Sequence, residues 1–292
     1  EAALSQYSLY TIGLLNRVHS LLIMHTAGRL ILDNEWHYKL PAITKLIPLS
    51  DDRTILQSTV ALIAVRTHDG LISEFGCKSW PNCLAVIDSD TILLGSHSGK
   101  VKIYQLNCSN LSLVEMYNSQ KPMINANNYC EDLPFLPNQR FAMASSHDIL
   151  VGKYCMDRPN IDILETVKLK FDFIASMKPD EENLLLACLS KECVVWSTET
   201  SQIAYRVMTT DDPIAIDFLT SGVFAYGGYG STAVSFCDIR AKKRVFDYIG
   251  CKGTKLTCMN GKSDRLFVGT DKQLSMLDLR HLRNPLTCIP LK

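Results

Sequence analysis

The chain reads TILLGSHSGKVKIYQLN from Thr91 to Asn107. It begins with a short apolar run that ends in Gly-Ser, and a tight polar turn follows at Ser98 and Gly99. After the turn, apolar and polar residues alternate. Short runs rich in β-branched residues on either side of a glycine-containing turn indicate two antiparallel strands. This stretch therefore predicts a β-hairpin.

The same unit recurs along the chain. Each copy contains up to four strand-like runs, and a turn joins the second run to the third. These turns fall near Gly28, Ser58, Gly99, Asp148, Lys191, Gly230 and Asp271. Their mean spacing is about 40 residues, and four-stranded units of ~40–45 residues are the signature of β-propeller blades. Because one such sheet cannot bury both of its faces alone, we expect the units to pack side by side around an axis.

The repeat predicts an all-β chain that forms a single seven-bladed β-propeller of four-stranded antiparallel sheets. The N-terminal unit is imperfect, since it holds about three strand-like runs. Which end of the chain closes the ring is left open. The expected domain is 1–292, with approximate blades at 1–42, 43–80, 81–121, 122–167, 168–209, 210–250 and 251–292.

Several units resemble WD repeats (WD40-like). The segments TILLGSHSGKVKIYQLN, VFAYGGYGSTAVSFCDIR and RLFVGTDKQLSMLDLR match an apolar strand that ends in a Gly-Ser-like pair, a polar turn, and a strand that ends in a Trp-Asp-like pair. Trp196 occupies the Trp position, while Asp238 and Asp278 keep the Asp. Tyr104, Cys237 and Leu277 replace the Trp, and no unit opens with Gly-His. The resemblance implies that the usual His–Ser–Asp–Trp network is largely missing.

The WD-repeat resemblance implies a non-catalytic scaffold or adaptor subunit that binds one or more proteins in a multiprotein complex. The segment 223–240 and the loss of most Trp-Asp pairs are also similar to the methylosome WD-repeat adaptor, which partners an arginine methyltransferase. That likeness implies a narrower alternative, an adaptor that presents substrates to a methyltransferase.

Composition and motifs argue against most other classes of protein. Thirty basic residues balance thirty acidic ones, so a nucleic-acid partner is not expected. We find no GxSxG, GxGxxG or P-loop motif and no zinc spacing of Cys and His, so we predict no catalytic residues, metal, cofactor or small-molecule substrate. No apolar run reaches the ~18–20 residues of a membrane helix. The eleven cysteines lie mostly in apolar runs, which predicts an intracellular protein, cytoplasmic or nuclear.

Binding residues are expected on loops, because a propeller is a rigid scaffold that displays them. In the WD family, one rim is formed by the turns between second and third strands and by the loops between blades. The exposed Trp and Tyr are the strongest candidates there. On this chain the predicted protein-binding rim includes Lys78, Trp80, His97, Lys100, His147, Lys191, Tyr229, Asp271 and Lys272. A basic patch is predicted on the opposite rim at Arg158, Lys242, Lys243, Arg244, Arg280 and Arg283.

Two alternatives from other classes remain open at this stage. An enzyme would need acids facing the central funnel, and Asp88 and Asp217 are the only acids repeated on the innermost strands. A phosphoinositide- or nucleic-acid-binding propeller would use the basic patch, although the Phe-Arg-Arg-Gly motif of lipid-binding propellers is missing.

Overall fold

The computed structural model shows 27 β-strands among the residues that it describes. That part of the chain contains no α-helix, and so none long and apolar enough to cross a membrane. The described residues are 7–10, 21–26, 29–32, 43–49, 53–58, 62–66, 72–76, 81–88, 90–96, 98–107, 112–119, 121–123, 133–145, 148–155, 160–168, 174–180, 183–220, 222–262, 264–282 and 285–290.

The first compact unit, residues 1–169, holds four antiparallel sheets in its described part. In every sheet the strands pair in chain order. Sheet 1 contains β1 (Tyr7–Tyr10), β2 (Leu21–Thr26) and β3 (Arg29–Leu32). Sheet 2 contains β4 (Ile43–Pro48), β5 (Thr54–Ser58), β6 (Leu62–Arg66) and β7 (Ile72–Gly76). Sheet 3 contains β8 (Pro81–Val86), β9 (Thr91–Ser96), β10 (Val101–Asn107) and β11 (Ser112–Asn118). Sheet 4 contains β12 (Phe135–Leu136), β13 (Arg140–Ala144), β14 (Asp148–Cys155) and β15 (Asn160–Lys168).

The second compact unit, residues 170–292, holds three four-stranded antiparallel sheets in its described part. Sheet 5 contains β16 (Ile174–Pro179), β17 (Leu184–Leu189), β18 (Glu192–Ser197) and β19 (Gln202–Met208). Sheet 6 contains β20 (Pro213–Thr220), β21 (Val223–Gly228), β22 (Val234–Asp238) and β23 (Lys243–Tyr248). Sheet 7 contains β24 (Leu256–Lys262), β25 (Arg265–Thr270), β26 (Gln273–Asp278) and β27 (Thr287–Pro290).

The prediction of an all-β chain of four-stranded antiparallel sheets is confirmed for sheets 2 to 7. Sheet 1 has three strands among the described residues. The strands of each sheet lie within one predicted blade, except that β15 ends one residue beyond the boundary drawn at 167.

The core of the first unit lies between neighbouring sheets. On β9, Ile92 and Leu94 join a buried cluster that includes Ile63 of sheet 2. Leu93 joins another that includes Phe141 of sheet 4. Since successive side chains of a strand point to opposite faces, β9 is buried on both sides. Each Leu or Ile buried in this way contributes ~1.5–3 kcal/mol, which explains why the run TILLGS has no polar face.

The second unit repeats this arrangement. Phe224 and Tyr226 of β21 pack toward sheet 5, where the ring of Tyr205 lies 6.2 Å from that of Phe224, centroid to centroid. Ala225, between them in sequence, belongs to the cluster that includes Val268 of sheet 7. Sheet 6 is therefore sealed on both faces by its neighbours, as expected for stacked repeats.

A recurring β-bulge marks the outer edge of sheets 3 to 6. In each of these sheets, one residue of the fourth strand has no pairing partner on the third strand. The third-strand residue just after the interruption is at or near the Trp position of the repeat: Tyr104, Gly152, Trp196 and Cys237. The bulged residues are exposed: Met116, Leu164, Ala204 and Val245. Bulges at a sheet edge discourage pairing with another chain.

Candidate functional site

The best-described candidate surface lies in the second unit, where the turns between second and third strands meet the loops that enter the next strands. The turn after β21 is tied down on both sides. The backbone N–H of Tyr229 donates to the carbonyl of Asp212 at 2.9 Å, and the N–H of Leu256 donates to the carbonyl of Ser231 at 3.1 Å. This surface, which we call the turn surface, includes Tyr229 and Lys255 and continues to the turn after β25.

Tyr229 is the aromatic residue that the turn surface displays. Its side chain is 62% exposed, although Tyr is a large and partly apolar residue. The Nζ of Lys255 lies 5.2 Å from the centroid of the ring, and such cation–π contacts are worth ~0.5–1 kcal/mol at exposed sites. The contact favours one position of the ring and leaves most of its surface open to solvent.

Asp271 has a structural role that the sequence interpretation missed. Its carboxylate accepts hydrogen bonds from the N–H of Thr254 at 2.7 Å, the Thr254 hydroxyl at 2.7 Å and the N–H of Lys255 at 3.3 Å. These bonds lower the pKa of Asp271 to about 2. The carboxylate therefore ties the turn after β25 to the loop before β24, which makes it a clamp within the surface. Lys272 beside it is exposed.

Lysines predicted on this rim also lie at turns. Lys191 is exposed and adopts a left-handed backbone conformation, with φ of 57°. Its carbonyl accepts a hydrogen bond from the N–H of Thr209 at 2.9 Å. In the first unit, Lys100 is half-buried, and its N–H donates to the Ser96 hydroxyl at 3.2 Å. The remaining predicted rim residues lie outside the described residues: Lys78, Trp80, His97 and His147.

The predicted basic patch is largely neutralised where it is described. Arg244 forms an ion pair with Asp247. The Nη2 of Arg280 lies 3.0 Å from carboxylate oxygens of both Asp278 and Asp264. The hydrogen bonds from Arg280 hold the pKa of Asp278 well below its usual range.

Lys242 and Lys243 are exposed and form no ion pair with any described residue. Within the described part of the patch, they carry the uncompensated charge. Arg158 and Arg283 lie outside the described residues.

The inner-strand acids that an enzyme would need are engaged in structural bonds. Asp88 accepts from the N–H groups of Asp90 at 2.9 Å and Thr91 at 2.7 Å, which forms the turn before β9. Asp217 is 9% exposed and accepts from the N–H of Gly261 at 2.6 Å. Burial raises the pKa of Asp217, while the nearby charge of Lys178 and the backbone donors act in the opposite direction.

Several exposed apolar residues were not predicted as site residues. Met208, at the end of β19, is 72% exposed, and Ile249, just after β23, is 81% exposed. Phe246 on β23 is also exposed. Their signal in the sequence is weak, because apolar residues also fill the buried strands and only the position in the fourth strand distinguishes them.

Comparison with known proteins identifies the fold. No protein-family model matches the chain, and no curated protein matches it by sequence. Many solved structures match its fold, among them that of U3-55K, a WD40 β-propeller protein. The match to U3-55K has a TM-score of 0.71 at 13% sequence identity and covers 88% of this chain and 84% of the other. This likeness shows that the chain has a β-propeller fold.

Proposed function

We propose that the chain is a non-enzymatic protein-interaction scaffold, an adaptor subunit of a multiprotein complex, formed as one seven-bladed propeller over residues 1–292. Support comes from the WD40-type fold, since propellers of this type present binding loops on a rigid frame. The seven sheets of the two units support the blade count.

The exposed ring of Tyr229 on a fixed turn is the observation that carries this proposal. Its backbone is bonded to Asp212, and its ring lies under the Lys255 ammonium. Interface hot spots are enriched in Tyr, Trp and Arg. We propose that the turn surface docks a partner protein and that Lys191 and Lys272 lie at its edge. Trp80, which belongs to the first unit and lies outside the described residues, stays a separate predicted binding residue.

A narrower form of the proposal is an adaptor that presents substrates to a methyltransferase. It rests on the likeness of segment 223–240 to the methylosome WD-repeat adaptor. We also propose a cytoplasmic or nuclear location, because Cys193 and Cys237 are free thiols buried on strands, as is usual for proteins of reducing compartments.

Affinity capture of the tagged full chain from cells tests the proposal. We expect a defined complex, and we expect Tyr229→Ala to lower the yield of its direct partner by about tenfold or more. Val114→Ala, an exposed apolar position on β11, is the control and should leave the yield unchanged. Co-purification of an arginine methyltransferase would support the narrower form.

Three outcomes would overturn the scaffold proposal. The first is a chain that purifies alone as a monomer and turns over a small molecule. The second is equal capture by wild type and Tyr229→Ala. The third is salt-sensitive binding to phosphoinositide vesicles or oligonucleotides that is lost in Lys242→Glu/Lys243→Glu, which would favour the lipid- or nucleic-acid-binding alternative.

A further inference from the structure

A groove of about 530 Å³ opens between sheets 6 and 7 of the second unit. Its lining side chains are those of Phe246, Tyr248, Ile249, Leu279, Arg280 and Leu282, and Gly250 also lines it. The groove is separate from Tyr229 and the turn surface, because none of the residues of that surface lines it. Its volume lies within the range of pockets that bind small molecules, roughly 300–1,000 Å³, so it has room for a few side chains.

The walls of the groove are fixed by the core behind them. Tyr248 is buried, and Leu279 and Leu282 pack against the buried cluster between sheets 6 and 7. The ring of Phe246 lies 6.0 Å from that of Phe236, centroid to centroid. Ile249 stands at the border of the groove and is 81% exposed. A partner that covers this apolar groove and the solvated Ile249 removes apolar surface from water. This lowers the free energy by ~25 cal/mol per Å² of apolar surface covered.

The described charged residues from 238 to 247 and from 264 to 280, the segments that lead to the groove or line it, carry a net positive charge. Arg240, Arg244, Arg265 and Arg280 pair with Asp238, Asp247, Asp264 and Asp278. Lys242 and Lys243 have no such partner in the described part of the chain, which leaves an excess of two positive charges. Lys243 lies on the same strand as Phe246, about 10 Å away along it.

Arg280 adds a directed donor at the wall of the groove. Its Nε and Nη2 are held by Asp278 at 3.1 and 3.0 Å, and Nη2 also lies 3.0 Å from a carboxylate oxygen of Asp264. Its Nη1 makes no hydrogen bond to any described residue, and the side chain is 60% exposed. An arginine oriented in this way can donate to a carboxylate with little loss of side-chain entropy.

We propose that this groove docks a segment of a partner protein in which apolar side chains stand next to Asp or Glu. The apolar side chains would fill the space beside Phe246 and cover Ile249. The acidic groups would meet Arg280 and the two lysines. The proposal goes beyond the scaffold function of the turn surface, because it concerns a different face and a defined partner chemistry.

The bulge on β23 bears on how the segment binds. Val245 has no pairing partner on β22, so the edge of sheet 6 is interrupted just before Phe246. A long added strand is disfavoured there. Affinity is therefore expected to come from side chains in the groove and from charge pairing.

The proposal can be tested with a displayed library of random peptides. Each peptide is about twelve residues long, which is enough to span β23. The full chain is the bait, with counter-selection on Ile249→Asp. We expect the enriched peptides to carry an apolar residue adjacent to Asp or Glu. Synthetic copies of them should bind Ile249→Asp about tenfold more weakly by fluorescence anisotropy, and binding should weaken as salt is added.

Met208→Asp is the matched control, since it places the same charge at an exposed apolar position outside the groove. It should bind like the wild type. Lys242→Glu/Lys243→Glu, which leaves the groove walls intact, should also weaken binding.

The proposal fails if no peptides are enriched, if they are basic, or if Ile249→Asp and Met208→Asp bind them equally. It also fails if the groove mediates a dimer that Ile249→Asp dissolves, because the occupant would then be a second copy. None of these outcomes affects capture through Tyr229.

Discussion

At the scale of single residues, small polar side chains hold turns and loops of the second unit together. Asp271 holds the loop before β24 through Thr254 and Lys255. Thr270 next to it donates to the carbonyl of Lys252 at 2.7 Å. By contrast, the buried Nε1 of Trp196 has no hydrogen-bond partner among the described residues.

The clamp at Asp271 makes stability depend on pH. Its folded pKa of about 2 is below the ordinary value of 3.8, so the stabilisation is present above pH ~4 and is lost as pH falls toward 2. Asp271→Asn should therefore lower the midpoint of urea unfolding at pH 7. The difference between the urea midpoints of the variant and the wild type should narrow steadily below pH 4.

Asp212→Asn serves as the comparison for Asp271→Asn. Asp212 is exposed on the loop before β20, and its side chain makes no hydrogen bond to a described residue. This variant should unfold like the wild type from pH 7 to pH 3. If the difference in urea midpoint between Asp271→Asn and the wild type stays constant with pH, the Asp271 carboxylate does not act as a clamp.

At the scale of strands, adjacent sheets are joined by polar links as well as by apolar packing. Arg53, just before β5, pairs with Asp90, before β9, at 2.9 Å. Asp217 on β20 accepts from the N–H of Gly261 on β24. In each case a side chain of one sheet satisfies a group of the next, which fixes how the two sheets pack.

Removal of the Asp217 carboxylate should destabilise the link between sheets 6 and 7. Asp217→Ala leaves the N–H of Gly261 without its acceptor, and such a loss costs about 1–3 kcal/mol. The free energy of unfolding from urea titration measures it. Asp217→Asn keeps an oxygen that can accept, so it should cost clearly less; equal losses for the two variants would show that the hydrogen bond is not what matters.

At the scale of the whole molecule, the proposal of one propeller predicts a compact particle. A single domain of 292 residues should have a radius of gyration of about 19 Å. Small-angle X-ray scattering of the purified chain measures this value, and we expect a pair-distance distribution with one maximum. Two maxima and a clearly larger radius would mean that residues 1–169 and 170–292 are separate bodies.

The surface candidates divide between those that sequence could identify and those that it could not. Tyr229 was predicted because a turn aromatic is visible in the repeat. The structural role of Asp271 is not visible in the sequence, because spacing alone does not show that Thr254 lies beside it. Ile249 and Phe246 were missed, because an apolar residue on a fourth strand looks the same in sequence whether a neighbouring sheet covers it or not.

Much of the architecture follows from the sequence alone. Strand alternation and turn residues are local properties, so the repeat predicted the antiparallel sheets and the approximate place of each. Tertiary structure decided which polar groups meet across sheets, which arginines are neutralised and where a groove stays open. Those features depend on contacts between residues far apart in the chain, such as Asp217 with Gly261 or Arg53 with Asp90, and no local pattern encodes such distances.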